Sequence, residues 1–95
     1  MSLASPTATL NFYRRDGCEL CDEGRDALQL VLEDRVRRGQ AVPRLREINL
    51  SRQPELEADY GARVPVLAVG SQELALATSA RQISMFLDRV LGLLA

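Results

Sequence analysis

A chain of 95 residues holds one domain, residues 1–95, with a single core of modest stability. Its 12 basic and 13 acidic side chains leave a net charge of −1, which argues against the concentrated basic face a nucleic-acid partner needs. With 46% apolar residues, 26% charged residues and no histidine, it is an ordinary globular composition that excludes Ser-His and Cys-His triads and most catalytic zinc sites. No apolar run approaches the roughly 18 residues of a membrane span. Met1 to Thr9 has no basic cluster leading into an apolar stretch, so no signal peptide is expected, and the Met1-Ser2-Leu3 start carries no weight. The expected location is cytoplasmic, where paired cysteines are more often redox or metal residues than structural staples.

Thr7 to Tyr13 alternates in part, with Leu10 and Phe12 on one side, and predicts a strand that stops at Arg14-Arg15-Asp16-Gly17. A helix is expected from about Cys18 to Arg38, with Leu20, Gly24, Ala27, Leu28, Val31 and Leu32 on its inner face. Asp16 and Glu19 have capping-box spacing, Arg35, Arg37 and Arg38 complement the helix dipole, and Gly39 marks the stop. Pro43 to Leu50 predicts a second strand. A short helix follows, capped by Ser51, with Pro54 in its first turn and Gly61 at its end. Val64 to Val69 is a buried strand, and Ser71 to Leu76 its partner across a tight turn at Gly70-Ser71. Ser79 caps a last helix whose apolar face holds Ile83, Phe86, Leu87, Val90 and Leu94, and the Leu91–Leu94 tail is expected to pack on the sheet. The order β-α-β-α-β-β-α predicts an α/β thioredoxin fold: a four-stranded mixed sheet flanked by helices, its first two strands parallel and its last two a hairpin.

Cys18-Glu19-Leu20-Cys21 carries the chemistry. Thiol-disulfide exchange needs a thiolate, and a free cysteine with a pKa of about 8.5 is mostly protonated at neutral pH. A helix amino terminus supplies unpaired N–H groups and the positive dipole end, both of which favour the anion at Cys18. Cys21, one turn deeper, lies within bridging distance. Cys18 is therefore the expected attacking thiol and Cys21 the resolving one. Arg14 and Arg15 favour the Cys18 thiolate, while Asp16, Glu19, Asp22 and Glu23 oppose it. A structural disulfide, a pair of plain buried thiols and half of a zinc site remain alternatives; zinc would need further ligands from carboxylates or a second chain.

Pro65 stands at the start of a buried strand, where a missing amide donor is unusual; the strand could simply begin at Val66 after a trans bond. Strand, Cys-x-x-Cys at a helix start and then Val64-Pro65-Val66 resemble the glutaredoxin and thioredoxin families. Within them, Asn49-Leu50-Ser51, Pro54-Glu55-Leu56 and Tyr60-Gly61-Ala62-Arg63-Val64-Pro65-Val66-Leu67 resemble a compact glutaredoxin-like family over about residues 8 to 93. The resemblance implies a cis Val64-Pro65 bond with Pro65 near Cys18, and a Val64 backbone free to pair with an extended substrate. The chain departs from typical glutaredoxins in three places. It has Cys-Glu-Leu-Cys for Cys-Pro-Tyr-Cys, Arg14-Arg15 for an upstream lysine, and Ala77-Thr78-Ser79-Ala80 where a Gly-Gly and an Asp grip glutathione.

The expected activity is a dithiol oxidoreductase acting on a protein or glutathione disulfide, as a monomer with no bound cofactor and glutathione at most a co-substrate. Arg14, Arg15, Arg63, Val64, Pro65, Thr78 and Ser79 are the candidate substrate-binding residues, although solvated arginines and a plain helix cap at Ser79 are the commoner roles. Tyr13 reads as strand-end packing. Two other functions fit the same fold: a non-catalytic interaction module, and a dimeric metal or iron–sulfur binder through Cys18 and Cys21.

Overall fold

The computed structural model describes residues 8–92. In chain order the elements are β1 (Thr9–Arg14), α1 (Glu19–Arg37), β2 (Arg44–Asn49), α2 (Glu57–Tyr60), β3 (Val66–Val69), β4 (Gln72–Leu74) and α3 (Ala80–Leu91). The four strands make one sheet in the order β2-β1-β3-β4. β1 and β2 run parallel, from Thr9 opposite Arg44 to Arg14 opposite Asn49, as a helical crossover requires. β3 is antiparallel to β1 and to β4, and Gly70, at φ 60°, turns the chain between the last two strands. This mixed sheet with flanking helices is a thioredoxin-like α/β fold.

Period-two alternation splits the core. Leu10 and Phe12 of β1 and Leu67 of β3 pack with Ala27, Leu28 and Val31 of α1 and Ile83, Phe86 and Leu87 of α3. Tyr13, Ile48, Val66 and Ala68 gather with Leu50, Val64 and Cys21, and Leu56 and Tyr60 close over them. That second cluster lies where β1 and β2 end and the cysteine pair begins. β2 and β4 are edge strands. Arg44 and Arg46, two apart and hence on one face of β2, are exposed and have no ion pair among the described residues.

Several expectations are corrected. Asp16 does not cap α1: Gly17, at φ 66°, turns the chain so that Cys18 is the last extended residue and itself the cap. Leu20 does not belong to the inner face; it is 47% exposed, because the buried face of α1 runs through Cys21, Gly24, Leu28, Val31 and Arg35 and leaves Leu20 to one side. The segment after β2 is not one capped helix but a chain of single turns, Leu50–Arg52, Pro54–Leu56, α2 and Gly61–Arg63. Asn49, not Ser51, caps it, its side chain accepting from the Ser51 N–H at 3.0 Å. Gly61, at φ −55°, continues the turns instead of ending them. The second strand begins at Arg44 and the fourth covers only Gln72–Leu74. Thr7, the Met1-Ser2-Leu3 start, Leu93 and Leu94 lie outside the described residues, while Leu91 packs against the main core.

The end of α1 follows its sequence signal. Gly39, at φ 71°, follows the last helical residues; its N–H donates to the Val36 carbonyl and that of Gln40 to the Arg35 carbonyl, the paired bonds of a Schellman motif. Arg35 is not dipole decoration. It is 2% exposed, and its guanidinium donates to the Ala41 carbonyl at 2.6 Å, Asp88 at 2.9 Å and the Gly92 carbonyl at 2.8 Å. One fork thus joins the ends of α1 and α3 to the loop before β2. Arg37 and Arg38 pair with Asp34 at the surface. Replacing Arg35 with Met strands two carbonyls without their donor and is expected to cost about 1–3 kcal/mol in urea unfolding; an unchanged midpoint would remove the fork from the stability account.

Gly24 sets how closely α1 approaches the rest of the site. A Cβ there would stand 2.5 Å from the Ala77 carbonyl oxygen and 2.9 Å from Pro65 Cγ. Gly-to-Ala in a helix ordinarily stabilises by about 1 kcal/mol. Here Gly24→Ala is expected to destabilise by about 1–3 kcal/mol, the overpacking range, and equilibrium denaturation reads the sign directly.

Candidate active site

Cys18 stands at the N-cap of α1 in an extended conformation (φ −110°, ψ 107°), its carbonyl accepting from the Asp22 N–H at 3.1 Å. Its Sγ accepts from the Cys21 backbone N–H, also at 3.1 Å. This is an amide that a helix start leaves without an intrahelical partner. Cys18 is partly exposed and Cys21 is 2% exposed, facing the second cluster. The two are joined in a disulfide with Cα atoms 5.2 Å apart, a separation one helical turn supplies. The Val64–Pro65 peptide bond is cis, and both residues are buried. Val64 precedes the β1–β3 ladder, which begins at Val66. The Arg63 and Pro65 carbonyls accept from Leu76 and Ala77, tying this loop to the approach to α3.

A polar web holds the loop before Cys18. The Asp16 N–H donates to Ser51 Oγ at 3.1 Å, and Asn49 Nδ2 donates to Asp16 at 3.0 Å. Arg14 pairs with both Asp16 and Glu47 at 3.3 Å, and Arg25 reaches Glu47 at 2.6 Å. Arg14, Asp16, Glu47 and Asn49 border a polar hollow of about 400 Å³ lined also by Arg52 and Gln53. An apolar groove of about 360 Å³ lies elsewhere, between α1 and β2, and none of its lining residues belongs to the disulfide or the Pro65 loop. Among the described residues no group of three or more histidine, cysteine or carboxylate side chains is placed to hold a metal. No described helix is long and apolar enough to cross a membrane.

A model of the glutaredoxin-like domain family (DUF836) matches residues 9–89. The chain belongs to this family. Among solved structures, the X-ray structure of structural-genomics target XcR50 from X. campestris is 32% identical, with a TM-score of 0.67, over 85% of this chain and 97% of that one. Protein Ne2328 from Nitrosomonas europaea is 26% identical, with a TM-score of 0.61, over 87% of this chain and 93% of that one. A malarial protein only 11% identical, at a TM-score of 0.60 over 87% of this chain and 96% of that one, shares the fold alone. No curated protein matches the chain.

In this glutaredoxin-like chain the expected site residues converge unequally. Cys18, Cys21, Val64 and Pro65 come together around the second cluster and Gly24. The three arginines are committed to neighbours: Arg14 as above, Arg15 to Glu57, and Arg63 to Glu73 at 3.0 Å and to the Asp59 carbonyl at 2.7 Å. Ser79 Oγ accepts from the Gln82 N–H at 3.2 Å as the cap of α3, and the Thr78 N–H donates to the Leu76 carbonyl.

Sequence reasoning passed over Tyr60. Its ring stacks on Tyr13 with centroids 3.9 Å apart, and the Arg63 guanidinium lies over its other side at 5.3 Å. No periodicity marks it, because α2 is a single turn. The Tyr13 hydroxyl, then burial, then the Glu73 carboxylate push the Tyr60 pKa up from 10.0 to about 12. A raised phenol pKa means that the unfolded chain loses its proton first. The contribution of this group to stability is therefore full below the ordinary tyrosine pKa and is lost as pH rises through about 12. Ultraviolet titration should show a late-ionising phenol that Tyr60→Phe abolishes; a late phase that persists in Tyr60→Phe, or none in the parent protein, would contradict the assignment.

Proposed function

We propose that this protein is a dithiol thiol-disulfide oxidoreductase in which Cys18 attacks and Cys21 resolves. The observation that carries the reading is the Cys18–Cys21 pair itself, joined at the start of α1 with one sulfur partly exposed and the other buried. In the reduced protein, the Cys21 N–H and the positive end of α1 favour a thiolate at Cys18. That thiolate attacks one sulfur of a substrate disulfide, forming a mixed disulfide and releasing the other half as thiolate. Cys21 then attacks Cys18 Sγ, releasing the second half and restoring the internal disulfide. Two electrons pass from the dithiol to the substrate.

Burial separates the roles: a thiol enclosed at Cys21 is unavailable to a large substrate and only one turn from its target. The Val64 backbone, next to Pro65 and outside the sheet ladder, offers a short edge to which an extended substrate backbone can be added. The substrate is a protein or glutathione disulfide, the protein acts as a monomer without a resident cofactor, and the reaction belongs in the cytoplasm, where a reductant can reset the dithiol.

Removing the resolving step tests this. Cys21→Ser, reduced and exposed to a small symmetric disulfide, should accumulate a mixed disulfide at Cys18 visible by mass spectrometry, while Cys18→Ser should react at least about tenfold more slowly because Cys21 is enclosed. Absence of any adduct on Cys18 would end the redox reading.

A further inference from the structure

The surface around the disulfide carries features that folding does not require. Leu76 has φ 51°, a conformation that disfavours a side-chain-bearing residue, yet its side chain is 52% exposed. Glycine or asparagine would suit the backbone better, and little burial compensates. Leu20, inside the Cys-x-x-Cys motif, is 47% exposed. It lies one helical turn before Gly24, which packs on Pro65 and Ala77, and Leu76 directly precedes Ala77. Two bulky, exposed apolar side chains therefore stand on the two segments that carry Cys18 and tie down the Pro65 loop.

Charge is distributed just as unevenly. Glu19, Asp22, Glu23 and Asp26 follow helical spacing, so they form one stripe running back from Cys18 along α1. All four are exposed, and none has an ion pair among the described residues. Arg14, Arg15 and Arg63 are instead held by Asp16, Glu47, Glu57 and Glu73, while Arg52, lining the polar hollow, has no ion pair among the described residues. Ser79 is occupied in capping α3. The start of α1 thus presents four unpaired carboxylates, and three of the nearby arginines are already engaged. Glutathione disulfide, which has more carboxylates than amines, meets repulsion from the stripe and finds Arg14, Arg15 and Arg63 already paired. A basic segment with an apolar side chain beside its cystine meets complementary charge and two apolar contacts.

We propose that the substrate is a disulfide in a protein segment bearing basic and bulky apolar side chains, and that glutathione disulfide is a poor substrate. This rests on the dithiol reading above and names its substrate class. The chemistry is the same exchange: the substrate disulfide is reduced to two thiols as Cys18 and Cys21 are oxidised to their disulfide.

The test uses reduced full-length Cys21→Ser protein and four disulfides: hydroxyethyl disulfide, glutathione disulfide, and two peptide disulfides identical except that lysines or glutamates flank a Leu-Cys pair. At low ionic strength the lysine peptide should react about tenfold faster than the glutamate peptide, with glutathione disulfide near the slower one. The gap should shrink as salt screens the stripe. Charge reversal by Glu19→Lys with Glu23→Lys brings the stripe to zero net charge and should collapse the ratio of the two peptide rates towards one, a readout independent of any change in Cys18 acidity. Leu76→Asn, which relieves the backbone, should slow both leucine-bearing peptides severalfold relative to hydroxyethyl disulfide. Equal peptide rates, or glutathione disulfide as the fastest, would overturn the substrate class while leaving the redox reading intact. Failure of all four disulfides to react would overturn both.

Discussion

The amide of Cys21 and the sulfur of Cys18 decide where α1 begins. A helix start leaves its first N–H groups without acceptors, and a serine or aspartate usually answers one of them. Here a cysteine sulfur does so, and one half of the disulfide is thereby an element of secondary structure. That arrangement places the sulfur at the positive end of the helix, leaves it partly exposed, and sets its partner one turn inward. The remaining contacts of the site hold this helix start in place.

Two kinds of contact do so. On one side, polar bonds join the loop before Cys18 to the end of β2, through Asp16, Asn49 and Ser51. On the other, the absence of a side chain at Gly24 lets α1 press against Pro65 and the Ala77 carbonyl. The first contact depends on the parallel pairing of β1 and β2, which brings Arg14 opposite Asn49. The second depends on the antiparallel placement of β3 beside β1. Both neighbours of the central strand therefore contribute a wall of the site, and the cysteine pair sits above the strand between them.

The sequence made the architecture legible wherever one signal dominated. Alternation marked β1, glycine marked the end of α1, and Ser79 with its apolar stripe marked α3. The spacing of the cysteines matched the pair that the structure joins at the start of α1. Legibility failed where a local pattern had two readings. Asp16 had the spacing of a cap, yet a left-handed glycine after it passed that role to Cys18, and Asp16 became a bridge to Asn49. Leu20 matched the helical period, but the buried face runs through its neighbour Cys21 and Gly24 and leaves it outside. Arg35 looked like one of three end charges, and only the return of α3 to the same place shows why it is enclosed. The Tyr13–Tyr60 stack joins residues from β1 and a single-turn helix, a pairing to which no short-range pattern corresponds.

The outer edge of β2 has one further consequence. An open strand edge is a template on which another chain can continue the sheet. Arg44 and Arg46 project from the same face of this one, so a second molecule aligning edge to edge would bring guanidinium groups against each other. Like charges placed opposite one another weaken such pairing. Lateral growth into larger β-assemblies is thereby discouraged by two side chains that belong to neither core cluster.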